Sequence, residues 1–225
     1  MGKDFETHLD ATVPATPDQV WDAIATGPGI SSWYIGRTEI DGTTVRTAFG
    51  DDWIPAGTVT TRDQPRHFAY RTGPADDGRF LAYEHLIEGR DHSATVLRTV
   101  TSGFLPGDDW AGEYEAMQYG TALFFATLVE HLTHFPGRTL TPVTAFGPPV
   151  TDWPAAWRTL TDTLGLDPAP RPGDTTDDGG TVYFTNPHTL GIRSGQGFHR
   201  YIQGLHGAMV TCHALFTPTS DHPED

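Results

Sequence analysis

Residues 109–137 read DWAGEYEAMQYGTALFFATLVEHLTHFPG, and the reading of this stretch decides the fold. Its bulky and apolar positions are Trp110, Tyr114, Met117, Thr121, Phe124, Leu128 and Leu132. They recur at steps of three and four, the period of one helical face. Phe135-Pro136-Gly137 closes the run, because proline cannot continue a helix and glycine tolerates the reversed backbone that ends one. The spacing predicts a helix over 109–134 whose one apolar stripe must lie on a sheet.

Upstream, residues 5–13 (FETHLDATV) alternate polar and apolar side chains, as a strand with one buried face does. Thr16-Pro17-Asp18 starts a helix, with Thr16 as cap and Pro17 at its first position. That helix buries Val20, Trp21 and Ile24 and stops at Gly27-Pro28-Gly29, before a turn carrying Trp33 and Tyr34. Short strands then follow over 37–102, including one at 53–62, divided by turn residues such as Asp41-Gly42, a hairpin signal. Consecutive strands joined by tight turns make an antiparallel sheet. Residues 1–137 therefore read as an α+β unit: strand, helix, six strands, long helix.

Downstream, 138–150 reads as a connector, 152–164 as a helix, and 181–216 as four strands, with a polar tail at 217–225. This part echoes the first in order. Trp21 within PDQVW resembles Trp157 within PAAW, Gly57-Thr58-Val59 resembles Gly180-Thr181-Val182, and His85-Leu86-Ile87-Glu88-Gly89 resembles Arg200-Tyr201-Ile202-Gln203-Gly204. Either 151–216 is a truncated, degenerate repeat, or hairpins of similar length share turn residues. A repeat here would lack its own long helix, leaving one sheet face to pack on the first unit or on a second copy in a homodimer.

Lys+Arg total 14 against 29 Asp+Glu, a net charge of −15, which argues against nucleic-acid and anionic-membrane partners. The lone Cys212 excludes a disulfide framework. Charged residues in MGKDFETHLDATV and the lack of any long apolar run point to a cytoplasmic protein.

The order of elements resembles the START-like or SRPBCC superfamily, the helix-grip fold. Residues 1–137 resemble its branch named for the activator of the heat-shock-protein ATPase. The resemblance rests on Pro17-Asp18-Gln19-Val20-Trp21, Ser32-Trp33-Tyr34, Gly57 before Pro65, Ser102-Gly103-Phe104 and Thr133-His134-Phe135-Pro136-Gly137-Arg138. It implies a curved antiparallel sheet around the long helix, enclosing a cavity for a small apolar or aromatic ligand. The branch commonly has Trp after the glycine at 120; here the position is Thr121, which bears on how the cavity mouth is closed. The superfamily includes carriers, polyketide cyclases and co-chaperones, so fold does not fix function.

The expected lining set is Trp33, Tyr70, Tyr83, His85, Trp110, Tyr114, Met117, Gln118 and Thr121. Alternation places Leu81, Tyr83 and His85 on one strand face, where Tyr83 and His85 could orient a ligand carbonyl or instead pair across the sheet with Tyr70 or Arg71. If the chain is an enzyme, a polyketide cyclase or dehydrase, His85 and Tyr114 are the acid–base candidates, with Glu84 and Glu113 as carboxylates nearby in sequence. A co-chaperone-like interaction module is the further alternative. His131 and His134 share a helix face without a third ligand, so no metal site is read, and no phosphate loop or other cofactor motif is present. Because 151–216 lacks a covering long helix, that fragment expressed alone should show no cooperative thermal unfolding by circular dichroism.

Overall fold

A computed structural model describes residues 2–90, 94–107, 110–204 and 207–217. The chain begins with β1 (Lys3–Val13), followed by α1 (Pro17–Ala25) and α2 (Gly27–Ser31). A capping box sets the start of α1: the Gln19 N–H donates to the Thr16 hydroxyl at 3.3 Å, and the Gln19 side chain accepts from the Thr16 N–H at 2.9 Å. α1 stops before Gly27-Pro28-Gly29 as expected, but these residues open a second short helix in place of the expected turn. Thr26 closes α1 and caps α2, accepting from the Gly29 N–H at 3.1 Å, and Pro28 fits the first turn of the second helix.

Then come β2 (Thr38–Asp41), β3 (Thr44–Phe49), β4 (Asp52–Trp53), β5 (Gly57–Asp63), β6 (His67–Thr72), β7 (Phe80–Arg90) and β8 (Ala94–Leu105). They form an antiparallel sheet in the order β1-β8-β7-β6-β5-β3-β2, with β4 attached to β3. Gly42, at φ 57°, makes the tight β2–β3 turn. The strand expected at 53–62 is broken into β4 and β5, since Pro55 has no N–H to give a ladder.

The long helix is α3 (Trp110–His134). Beyond it lie β9 (Thr141–Pro149), α4 (Trp153–Thr163), β10 (Thr181–Asn186), β11 (Thr189–Ser194), β12 (Gly197–Gln203) and β13 (Ala208–Leu215). These five strands form a second antiparallel sheet, β10-β11-β12-β13-β9. The expected connector at 138–150 thus contains a strand. Its prolines disguise it in the sequence, and they are tolerated because β9 is an edge strand. From residue 218 on, the expected tail lies outside the described residues. Among the described residues, no helix is long and apolar enough to cross a membrane.

Two faces of α3 are buried, not the one stripe the spacing suggested. Phe124, Leu128 and Leu132 join Val13, Val20, Trp21, Ile24, Ile30, Phe68 and Leu97 in the main core. Leu123, Thr127 and His131 are also buried and face the second sheet. There the Thr127 and Tyr183 hydroxyls meet at 2.6 Å, the Asn186 amide donates to the Tyr119 carbonyl at 3.1 Å, and Arg193 donates to Glu130 at 2.9 Å. Polar residues on that face resemble a solvated surface in the sequence; Thr127 and Glu130 find hydrogen-bond partners on the second sheet instead, and the His131 ring meets Phe198 edge-on at 6.5 Å. The sheet's opposite face packs Leu190 and Ile192 under Trp157 and Leu160 of α4.

One side chain joins the two sheets most deeply. Arg200 on β12 is completely buried. Its Nε donates to the Cys212 carbonyl, Nη1 to the Trp33 carbonyl and Nη2 to the Tyr34 carbonyl at 3.1 Å, while the guanidinium lies 5.2 Å from the Phe124 ring centroid. Burial lowers its pKa from the ordinary arginine value, yet the group retains its charge. Replacing it by methionine strands two buried carbonyls, each costing about 1–3 kcal/mol, and a third that is partly buried. Arg200→Met should therefore destabilise by about 3 kcal/mol or more in urea unfolding. Arg200→Lys should recover little, because an ammonium cannot span the three oxygens as the planar fork does. A lysine variant as stable as the parent would contradict this account.

Candidate functional site

A cavity of about 390 Å³ opens between the first sheet, α3 and the second sheet. This size falls in the range of small-molecule pockets. The first sheet contributes Leu81, Tyr83 and Thr101, so the Leu81–Tyr83 face of β7 is the concave one. Tyr34 and Ile35, after α2, and Phe49 and Ile54, around β4, complete that side. From α3 come Glu113, Ala116, Met117, Gly120, Thr121 and Phe124. The second sheet supplies Phe146, Ile202, Gln203, Ala208 and Val210, with Gly204 at its edge. Phe146 is 56% exposed and meets Phe49 edge-on at 5.1 Å, so one ring from each sheet touches at the rim.

The wall is mostly aliphatic and aromatic, with few polar groups. The Tyr34 and Tyr83 hydroxyls are 2.7 Å apart. Tyr70 pairs directly across the sheet from Tyr83 and stacks on it at 4.9 Å, holding the ring in place. Burial raises the pKa of all three tyrosines above the ordinary phenol value, so their hydroxyls remain neutral. Glu113 is ion-paired with Arg79, which also reaches Asp77 at 3.4 Å. Gln203 accepts from the Trp157 indole N–H at 3.3 Å.

Of the expected lining set, Tyr83, Met117 and Thr121 are brought together on this wall, and the candidate carboxylate Glu113 joins them. Trp33, Tyr70 and His85 lie in the core beside it. His85 shares the Tyr83 face, but at its level the space is filled by Trp33, whose indole N–H donates to the Ala23 carbonyl at 2.9 Å. His85 is 2% exposed, its Nδ1 is 3.0 Å from the Thr99 hydroxyl, and burial pushes its pKa down to about 4. Tyr114 turns toward β1, its ring 5.5 Å from Phe5, and its hydroxyl accepts from Gln118, which is exposed. Neither lines the cavity: Tyr114 shares the helical stripe of Met117 and Thr121, but its ring is turned onto Phe5, and Gln118 lies one position round the helix, toward solvent. The Trp110 side chain lies outside the described residues. The expected lining set also left out Tyr34 and the whole second-sheet wall. The alternation of Phe198, Arg200 and Ile202 along β12 carries a signal for an inward face, but not for what it faces.

No protein-family model and no curated protein matches the sequence. Solved structures share its architecture loosely. The Aha1 dimer from Colwellia psychrerythraea is 17% identical, with a TM-score of 0.46, covering 59% of this chain and 99% of that one. DynU16, from the dynemicin biosynthetic locus, is 19% identical, with a TM-score of 0.46, covering 94% of this chain and 86% of its own. SA2116 from Staphylococcus aureus, a protein of unknown function, is 13% identical, with a TM-score of 0.48, covering 58% and 94%. The fold is α+β, as expected: two antiparallel sheets with one long helix between them.

Buried His85 makes the stability of the fold depend on pH. The unfolded pKa of His85 is near 6.5, and its folded value is about 4. Below pH 6.5 the unfolded chain takes up a proton that the folded chain refuses, so stability falls as pH drops toward 4. The loss should be on the order of 1–2 kcal/mol at pH 5 for such a group. His85→Gln retains a partner for Thr99 without titrating, and should reduce the difference in unfolding free energy between pH 7.5 and pH 5. An unchanged difference would contradict the assignment.

Proposed function

We propose that the protein binds a small, mostly apolar molecule in the cavity between its two sheets. The observation that carries this reading is the composition and position of the wall: apolar side chains from three elements surround about 390 Å³, with polar groups confined to a few points. The catalytic alternative, a polyketide cyclase- or dehydrase-like enzyme using His85 and Tyr114, has neither group on that wall.

We also propose that the chain consists of two related units, 1–137 and a truncated one continuing to 216. In support, the first strand of each sheet pairs with its last, β1 with β8 and β9 with β13, and a helix follows each first strand. Trp21 and Trp157 occupy those helices, matching the echo in the sequence. In this reading α3 serves both sheets, and the second unit needs neither its own long helix nor a second copy of the chain to cover its inner face.

Thr121 provides the test of binding. It is a small wall residue on α3 beside Gly120, where a larger side chain would enter the cavity. Thr121→Trp should leave the melting temperature unchanged or raised while reducing binding of the apolar fluorophore N-phenyl-1-naphthylamine at least severalfold. In a solidly packed core the same change would cost about 1–3 kcal/mol. Loss of stability in the variant, with no fluorophore binding by the parent, would refute the proposal.

A further inference from the structure

The function proposed above leaves the ligand's polar chemistry open, and one wall feature addresses it. Tyr34 comes from the turn after α2 and Tyr83 from the middle of β7, yet their hydroxyls meet at 2.7 Å on the cavity wall. Two neutral hydroxyls carry two hydrogens, and only one can bridge the pair. Among the described residues, the structure gives neither hydroxyl another hydrogen-bond partner. The second hydrogen is thus available to an oxygen in the cavity. Thr101, paired directly across from Tyr83 on β8, adds a third hydroxyl-bearing residue to the same wall.

The surrounding charge indicates which kind of group would be held. Arg200 donates to the main-chain carbonyl of Tyr34 and stands over the ring of Phe124, and both residues line the cavity. A buried cation behind the wall favours electron-rich oxygen in front of it and disfavours an ammonium group. Glu113, an acidic member of the wall, is neutralised by Arg79. The tyrosine rings are held by packing as well: Tyr83 is stacked on Tyr70, and Tyr34 meets Phe124 edge-on at 5.3 Å. The donor pair is therefore in place before any ligand arrives.

We infer that the Tyr34–Tyr83 hydroxyl pair is the recognition point for a carbonyl-type oxygen on an otherwise apolar, ring-bearing ligand. This rests on the cavity-binding reading, so the test uses two probes. One is 6-propionyl-2-dimethylaminonaphthalene, an aryl ketone whose emission reddens when its carbonyl accepts a hydrogen bond. The other is 2-dimethylaminonaphthalene, the same ring system without the carbonyl. Both are titrated by fluorescence into the full chain and into Tyr34→Phe, Tyr83→Phe and the double variant. The rings are retained in each variant, and thermal melts verify folding.

The double variant should bind the ketone about tenfold more weakly, with blue-shifted emission, and bind the carbonyl-free probe within twofold of the parent. Each single variant should show a smaller, selective loss. If the parent binds both probes and the double variant weakens neither, or weakens both equally, the hydroxyl assignment is overturned and cavity binding stands. If the parent binds neither probe, cavity binding fails and the assignment falls with it.

Discussion

Removing a guanidinium from water costs on the order of several kcal/mol, so a buried arginine needs an acceptor at each nitrogen where it comes to rest. Arg200 meets that condition with main-chain oxygens from both parts of the molecule: Cys212 in its own sheet, and Trp33 and Tyr34 in the turn after α2. Main-chain oxygens cannot move independently of the backbone. The contact therefore fixes the position of β12 relative to the turn that carries Tyr34, and with it the gap between the two sheets. The cavity is that gap.

The second constraint is the double burial of α3. A helix packed against one sheet needs one apolar stripe, but this helix also presents Tyr119, Thr127, Glu130 and His131 to β10, β11 and β12. Most of these contacts are polar and hydrogen-bonded, and they specify register more sharply than aliphatic packing does. In the N-terminal half of the helix, Met117, Gly120 and Thr121 border unfilled space. Small side chains at that point and larger ones toward the C-terminal end give the cavity its position.

Local patterns in the sequence carried much of the fold. Thr16 and Pro17 set the start of α1, Asp41-Gly42 the first hairpin, and the three–four spacing the bounds of α3, because each depends on neighbouring residues. The site was less legible. The face shared by Tyr83 and His85 follows from strand alternation, but only contact with Trp33 decides that one of them reaches the cavity and the other is enclosed. Ile202, Val210 and Phe146 come to the wall from a second sheet far along the chain, and no local pattern announces that encounter. Periodicity shows which face is apolar; it does not show what covers it. The prolines of β9 misled for a related reason, since a strand's tolerance for proline depends on whether it lies at an edge.

The sharing of α3 also has a consequence for how the protein is made. The first sheet, α1 and α3 can assemble most of their common core as soon as residue 134 has left the ribosome, because its fully buried members all precede it and only Ile202 joins from later in the chain. The second sheet cannot settle until β9 pairs with β13, close to the end of the chain, but when it does so the helix it packs on is already in place. Synthesis thus delivers the template before the layer that folds onto it.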